Sequence, residues 1–85
     1  MTITRQAGYM EQLGTRIRRL RTARGMAQDR LALEAHIDQS GLSKFERGRR
    51  ALSETAIRRI ATVLQTSFEQ LVAGTDFEPK VGGDP

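Results

Sequence analysis

Between Tyr9 and Arg24 the apolar positions are Met10, Leu13, Ile17 and Leu20, at intervals of three, four and three residues. That is the period of one helix face, so the stripe is expected to be core. Arg21 follows Ile17 by four residues and lies at the edge of the same stripe, whereas Arg16, Arg18 and Arg19 point elsewhere. Those three read as solvated or phosphate-facing surface. Gly25 stops this first helix, as a glycine just past a C-cap commonly does. Residues 1–8 precede any periodic pattern and read as a flexible leader.

A second helix is predicted from about Gln28 to Ala35, burying Leu31, Ala32 and Ala35. After the break His36-Ile37-Asp38, Asp38 can cap a third helix by accepting free amide protons of its first turn. There Leu42 and Phe45 face inward with Glu46 beside them, and Gln39, Ser40, Ser43, Lys44 and Arg47 fall on the other side. Gly48 ends it. Ser53 is the expected cap of a fourth helix, with Glu54 in its first turn and a stripe of Ile57, Ile60, Ala61 and Leu64. Ser67-Phe68-Glu69-Gln70 fits a capping box and opens a short fifth helix carrying Phe68, Leu71 and Val72, stopped by Gly74. Residues 75–85 carry prolines, glycines and scattered charge and read as a C-terminal tail. Strand alternation is missing throughout, so the expected class is all-α, a compact five-helix domain over residues 9–74.

Composition narrows the chemistry. Eighty-five residues suit one small core, with 38% apolar residues and 28% charged. Zero cysteines exclude disulfide frameworks and thiolate metal sites, and a single histidine, His36, argues against a triad or a histidine metal site. We expect no catalytic residues, no metal and no cofactor. No apolar run has the length of a membrane span or a signal-peptide core, so the chain reads as cytoplasmic and membrane-free. The net charge is +4, and it is unevenly placed. Residues 10–24 carry five arginines against one glutamate, whereas residues 74–85 hold one base and three acids. A basic front points to nucleic acid if the fold gathers the arginines onto one face.

The second and third predicted helices, joined by a short turn, satisfy the needs of a helix-turn-helix. The major groove is about 12 Å wide, so the reading helix must be narrow and exposed. Its outward residues must donate and accept hydrogen bonds, as Gln39, Ser40, Ser43 and Lys44 do. Its flanks should neutralise phosphates, and Arg47, Arg49 and Arg50 follow it directly.

From Leu13 to Leu71 the chain resembles the Xre family of phage repressor and Cro-type DNA-binding domains, which have a lambda-repressor-like fold. The residues carrying the resemblance are Gln28-x-x-Leu31-Ala32, Ile37, the run Leu42-Ser43-Lys44-Phe45-Glu46-Arg47-Gly48-Arg49-Arg50, Ile60-Ala61 and Leu64, with Phe68 and Leu71 closing the core. The resemblance implies that Gln39, Ser40, Ser43 and Lys44 read base edges. It implies that Gln28, Arg47, Arg49 and Arg50 contact phosphates, and that Glu46 pairs inside with an arginine of the first helix, Arg21 being the candidate. The sequence departs from the family at Ala27, where a Thr or Ser cap is usual, and at His36, where the turn generally has Gly. It departs also at Asp38, a negative charge near the expected phosphates, at Gly41 inside the reading helix, and at the outward-facing Leu33.

The function this implies is a sequence-specific transcriptional regulator that binds a near-palindromic operator in double-stranded DNA as a homodimer, controlled by concentration rather than by a small ligand. Stand-alone relatives include restriction-modification controllers, which the Leu-Ser-x-x-Glu-Arg-Gly segment favours. The alternative is an antitoxin that binds a toxin protein as well as its operator, with Leu33 and the tail as the added surface. RNA polymerase is a further expected partner if the protein activates. For the dimer surface two readings stand. Either Phe68, Val72, Phe77 and Val81 contribute to it, or Phe68 caps the core and Phe77 and Val81 belong to the tail.

Overall fold

The computed structural model describes residues 10–77. Within them are five helices: α1 (Leu13–Ala23), α2 (Gln28–Glu34), α3 (Gln39–Glu46), α4 (Glu54–Val63) and α5 (Phe68–Val72). The all-α, five-helix architecture expected from periodicity is the one found. The leader, residues 1–8, lies outside the described residues, as does the tail beyond Phe77, including Val81.

Four of the helices end in the same local way. The residue past the C-cap turns left-handed: Gly25 after α1, His36 after α2, Gly48 after α3 and Gln65 after α4. The amide of the next residue then reaches back to an orphaned carbonyl, as Ile37 N–H does to Ala32 at 2.8 Å and Arg49 N–H to Lys44 at 2.8 Å. His36, at φ 57°, adopts a conformation that histidine enters more readily than most side chains. The starts are capped by short polar side chains. Asp38 accepts from the Gly41 amide, Ser53 from Ala56 and Ser67 from Gln70. Ala27 leaves α2 without a side-chain cap.

Helix α1 is shorter than its stripe suggested. It begins at Leu13, and Met10 lies ahead of it, 54% exposed, so Met10 is not a core residue. The reason is visible at the N-terminus of α1. Gln12 makes no side-chain cap, and the missing acceptor comes from the other end of the fold, where Asp76 Oδ1 takes the Leu13 amide proton at 2.9 Å. Glu11 and Thr75 pair as an isolated parallel bridge, through Glu11 N–H to Gly74 at 3.1 Å and Asp76 N–H to Glu11 at 2.9 Å. Chain committed to this pairing cannot also be helix. The segment Thr75–Phe77, expected in the tail, is therefore packed against the domain: Thr75 is buried and Phe77 meets Phe68 edge to face at 5.5 Å.

The core joins Leu13, Ile17, Leu31, Ala32, Leu42, Phe45, Ile57, Ile60, Leu64 and Leu71 with two more small alanines, and Leu20, Phe68 and Val72 pack against it. One glycine sets how closely α1 meets α3. A Cβ at Gly14 would lie 2.0 Å from the Phe45 carbonyl oxygen. Backbone therefore meets backbone there, and no rotamer change can relieve an added methyl.

Gly14→Ala should thus cost at least the 1–3 kcal/mol typical of overpacking, measured as a lower urea midpoint at unchanged m-value. Asp76→Ala should cost about 1 kcal/mol, the value of a helix cap, despite its place near the end of the described chain.

Candidate nucleic-acid interface

The turn between α2 and α3 spans Ala35, His36, Ile37 and Asp38, and it sets α3 across the front of the core. Leu42, Phe45 and Glu46 point inward and are buried. Gln39, Ser40 and Lys44 are exposed on the outer face, and Ser43 is half-buried at its margin. Arg47, Arg49 and Arg50 follow, all exposed. Asp38, a negative charge near the expected phosphates, caps α3: its Oδ2 accepts from the Gly41 amide at 3.1 Å.

Beneath this face lies a buried ion pair. Arg21, 8% exposed, donates to Glu46, 5% exposed, from Nε to Oε2 and from Nη2 to Oε1, both at 2.9 Å. The remaining terminal nitrogen, Nη1, donates to the Met26 carbonyl at 2.8 Å. Gln28 completes the arrangement by donating from Nε2 to Glu46 Oε1 at 3.0 Å. Its side-chain amide thus supports the buried pair from the start of α2. The cause is the carboxylate: Glu46 has lone pairs to satisfy in a buried site, and an unsatisfied one is costly.

The bases sort into two groups. Arg16 and Arg19 both bind Glu11, at 3.0 and 2.7 Å. Arg16 also donates to the carbonyls of Gln70, Leu71 and Ala73, and so closes the C-terminal end of α5. Those contacts are structural, where the sequence reading treated Arg16 as surface. The Arg19 hydrogen bond, with Arg16 adding to it, outweighs burial and holds the Glu11 carboxyl below the usual carboxylate range. Arg30 pairs with Glu34 and Arg58 with Glu54, and Arg58 also lies 4.0 Å over the Phe68 ring. Arg59 donates to Ala35 and His36, and Arg24 to Leu20. Among the described residues, the bases left without an ion pair or internal hydrogen bond are Arg18, Lys44, Arg47, Arg49 and Arg50. Four of the five sit on α3 or its exit.

Gly41 owes its burial partly to one of them. A Cβ there would come 2.9 Å from Arg50 Nη1 and 3.4 Å from its Cζ, so the guanidinium lies across the bare helix backbone. Glycine at this position thus makes room for an arginine of the same chain, something its spacing in the sequence could not reveal. No group of metal-ligating side chains occurs among the described residues, and none of their helices is long and apolar enough to cross a membrane.

The Arg21–Glu46 pair can be tested by thermodynamics. Glu46→Ala should cost about 3–5 kcal/mol, because it strands a buried guanidinium. The double variant Arg21→Met, Glu46→Leu should lose much less than Glu46→Ala alone, read from urea midpoints.

A helix-turn-helix family model matches residues 17–71, more than half of the chain. A curated relative from Bacillus subtilis, the HTH-type transcriptional regulator RghRB, is 35% identical over 65 residues, covering 75% of this chain and 47% of its own. The chain thus spans about half the length of that relative. Among solved structures, the restriction-modification controller protein C.AhdI from Aeromonas hydrophila is 39% identical, with a TM-score of 0.67 over 69% of this chain and 89% of that one. The biofilm regulator SinR of B. subtilis, in complex with DNA, is 30% identical, with a TM-score of 0.65 over 69% of this chain and 95% of that one. With the matched segment running from α1 to α5 and enclosing the α2–turn–α3 unit and its outward bases, the chain belongs to the Xre-type helix-turn-helix family of DNA-binding transcription regulators.

Proposed function

We propose that the protein is a sequence-specific regulator that binds a near-palindromic operator as a homodimer and acts by occupying it. The observation that carries this reading is the sorting of the bases. Eleven arginines and one lysine fall within residues 10–77, and those without an internal partner there gather on α3 and its exit, with Arg18 nearby. An arginine that already holds a carboxylate or a helix end has little left to offer a phosphate. Lys44, Arg47, Arg49 and Arg50 have their full capacity.

The assignment of roles follows from position. Gln39, Ser40 and Lys44 stand on the exposed face of α3, where a major-groove helix meets base edges. Glutamine suits adenine N6 and N7, and lysine suits the guanine O6 and N7 acceptors. Ser43, half-buried at the margin of that face, joins them as a base-edge contact. Arg47, Arg49 and Arg50, past the helix end, suit the backbone, which fixes register without reading sequence. A reading helix of eight residues covers only a few base pairs. Two copies about 34 Å apart would read both half-sites of a symmetric operator. Similarity to a restriction-modification controller supports control of such an operon as the regulated unit.

A second reading, docking of RNA polymerase or a toxin protein, is favoured by one side chain. Leu33 on α2 is 73% exposed, a large aliphatic side chain left uncovered on the surface. Leu33→Glu should leave operator affinity unchanged while abolishing activation in a reporter assay, or toxin capture by a co-expressed partner.

Selection of binding sites from random duplexes should return a two-fold symmetric sequence. Recovery of only asymmetric sites would refute the dimeric reading. On the selected operator, Lys44→Ala should relax preference at one position per half-site, by about 1–3 kcal/mol of discrimination. Arg49→Ala should weaken all sequences alike and lower the salt slope by about one per half-site.

A further inference from the structure

Arg18 is the unpartnered base that the reading above leaves unused, and its place in the fold gives it a use. Three residues before Arg21, it lies on the same face of α1. A cleft of about 220 Å³ opens there, lined by Arg18, Arg21, Gln28, Ser43, Glu46 and Arg47. Its floor is the Arg21–Glu46 pair, whose carboxylate is already taken up by Arg21 and Gln28. Its walls are Arg18 from α1 and Arg47 at the end of α3, both exposed and both without an internal partner among the described residues. Ser43 adds a hydroxyl on the α3 side.

We propose that this cleft is a seat for one backbone phosphate of the bound duplex, held between Arg18 and Arg47 with the Ser43 hydroxyl beside them. The inference rests on the operator-binding reading and extends the interface from α3 to α1. Three features support an anion there. Arg18 and Arg47, both without an internal partner among the described residues, line one shared opening, and their guanidiniums carry donors suited to phosphate oxygens. The one carboxylate in the cleft is internally neutralised, so it does not repel. A volume several times the roughly 30 Å³ of a water molecule leaves room for a tetrahedral group. The seat also adjoins the margin of the reading face. A phosphate bound there would fix the rotation of α3 in the groove, because α1 and α3 are locked together by Gly14 and by the ion pair.

The test is a salt titration of duplex binding by the full chain, using the selected operator and an unrelated duplex of equal length, with six variants: Arg18, Arg24, Arg47 and Arg49 each changed to Ala, and two doubles. Arg18→Ala should weaken both duplexes, by roughly eightfold per half-site at 0.1 M salt, and lower the slope of log K against log salt by about 0.9 per half-site. Arg24→Ala, at the C-cap of the same helix and outside the cleft lining, should bind as the parent does. Arg18→Ala combined with Arg47→Ala should lose less than the product of the two single losses, because both hold one phosphate. Arg18→Ala combined with Arg49→Ala should lose the full product. Arg18 is exposed and makes no ion pair or side-chain hydrogen bond among the described residues, so the melting temperature of its variant should match the parent's. Unchanged affinity and slope for Arg18→Ala, while Arg49→Ala does weaken binding, would overturn the seat and leave the operator reading standing. Multiplicative losses for the Arg18 and Arg47 pair would overturn the shared phosphate. A parent protein that binds neither duplex would overturn both the seat and the operator reading.

Discussion

The buried Arg21–Glu46 pair is the constraint on which the arrangement of α3 depends. Taking two charges out of water is costly, and the cost is offset only when geometry and hydrogen bonding are complete. Here they nearly are. Two parallel N–H···O bonds join the pair, the Met26 carbonyl takes a further guanidinium proton, and Gln28 supplies the carboxylate with a third donor. Each of these partners comes from a different part of the chain: α1, the turn after it, the start of α2 and the end of α3. A shift of α3 along or about its axis would break several bonds at once. The ion pair thus converts the weakly specified packing of short helices into one orientation.

The same pair decides the electrostatics outside. Glu46 adjoins Arg47 in sequence, and on the surface it would cancel a positive charge beside the expected phosphates. Held inside and neutralised, it leaves Lys44, Arg47, Arg49 and Arg50 as an uncompensated group. Elsewhere the fold does the opposite and consumes its arginines. Glu11 takes Arg16 and Arg19, and Arg16 closes α5 by bonding its last carbonyls. A net charge of +4 spread over the sequence becomes a concentrated basic face because acids and helix ends absorb the cations on the other sides.

The ends of the described domain are tied by the same economy of backbone groups. Helix α1 begins with no local cap, and its first amide is satisfied from Asp76, across 63 positions of sequence. The Glu11–Thr75 bridge runs beside it, and Phe77 settles on Phe68. Gly14 then lets α1 lie against the α3 backbone at a distance that no other residue would permit. Helix α3 is therefore held from beneath by α1, which is itself held by the segment after α5. Stability of that segment and presentation of α3 are coupled through a single helix.

What could be read from the residues alone is what is encoded locally. The five helices follow from spacings of three and four and from polar caps at Asp38, Ser53 and Ser67. The left-handed turn at His36 follows from the need to end α2 before α3, and the outward set Gln39, Ser40 and Lys44 follows from helical phase against Leu42 and Phe45. The inward place of Glu46 was legible too, since it shares that phase. The rest was decided by distance in space between residues far apart in sequence. Where α1 begins was not legible, because nothing local named Asp76 as the acceptor of its first amide proton. The spacing of Arg16, Arg18 and Arg19 marked them alike as surface, yet one closes a helix, one pairs with Glu11 and one stays unpartnered, because only packing brings α5, Glu11 and the cleft beside Arg47 within reach. Gln28 turned inward for the same reason: a buried carboxylate must be satisfied by whatever donor the tertiary structure places next to it.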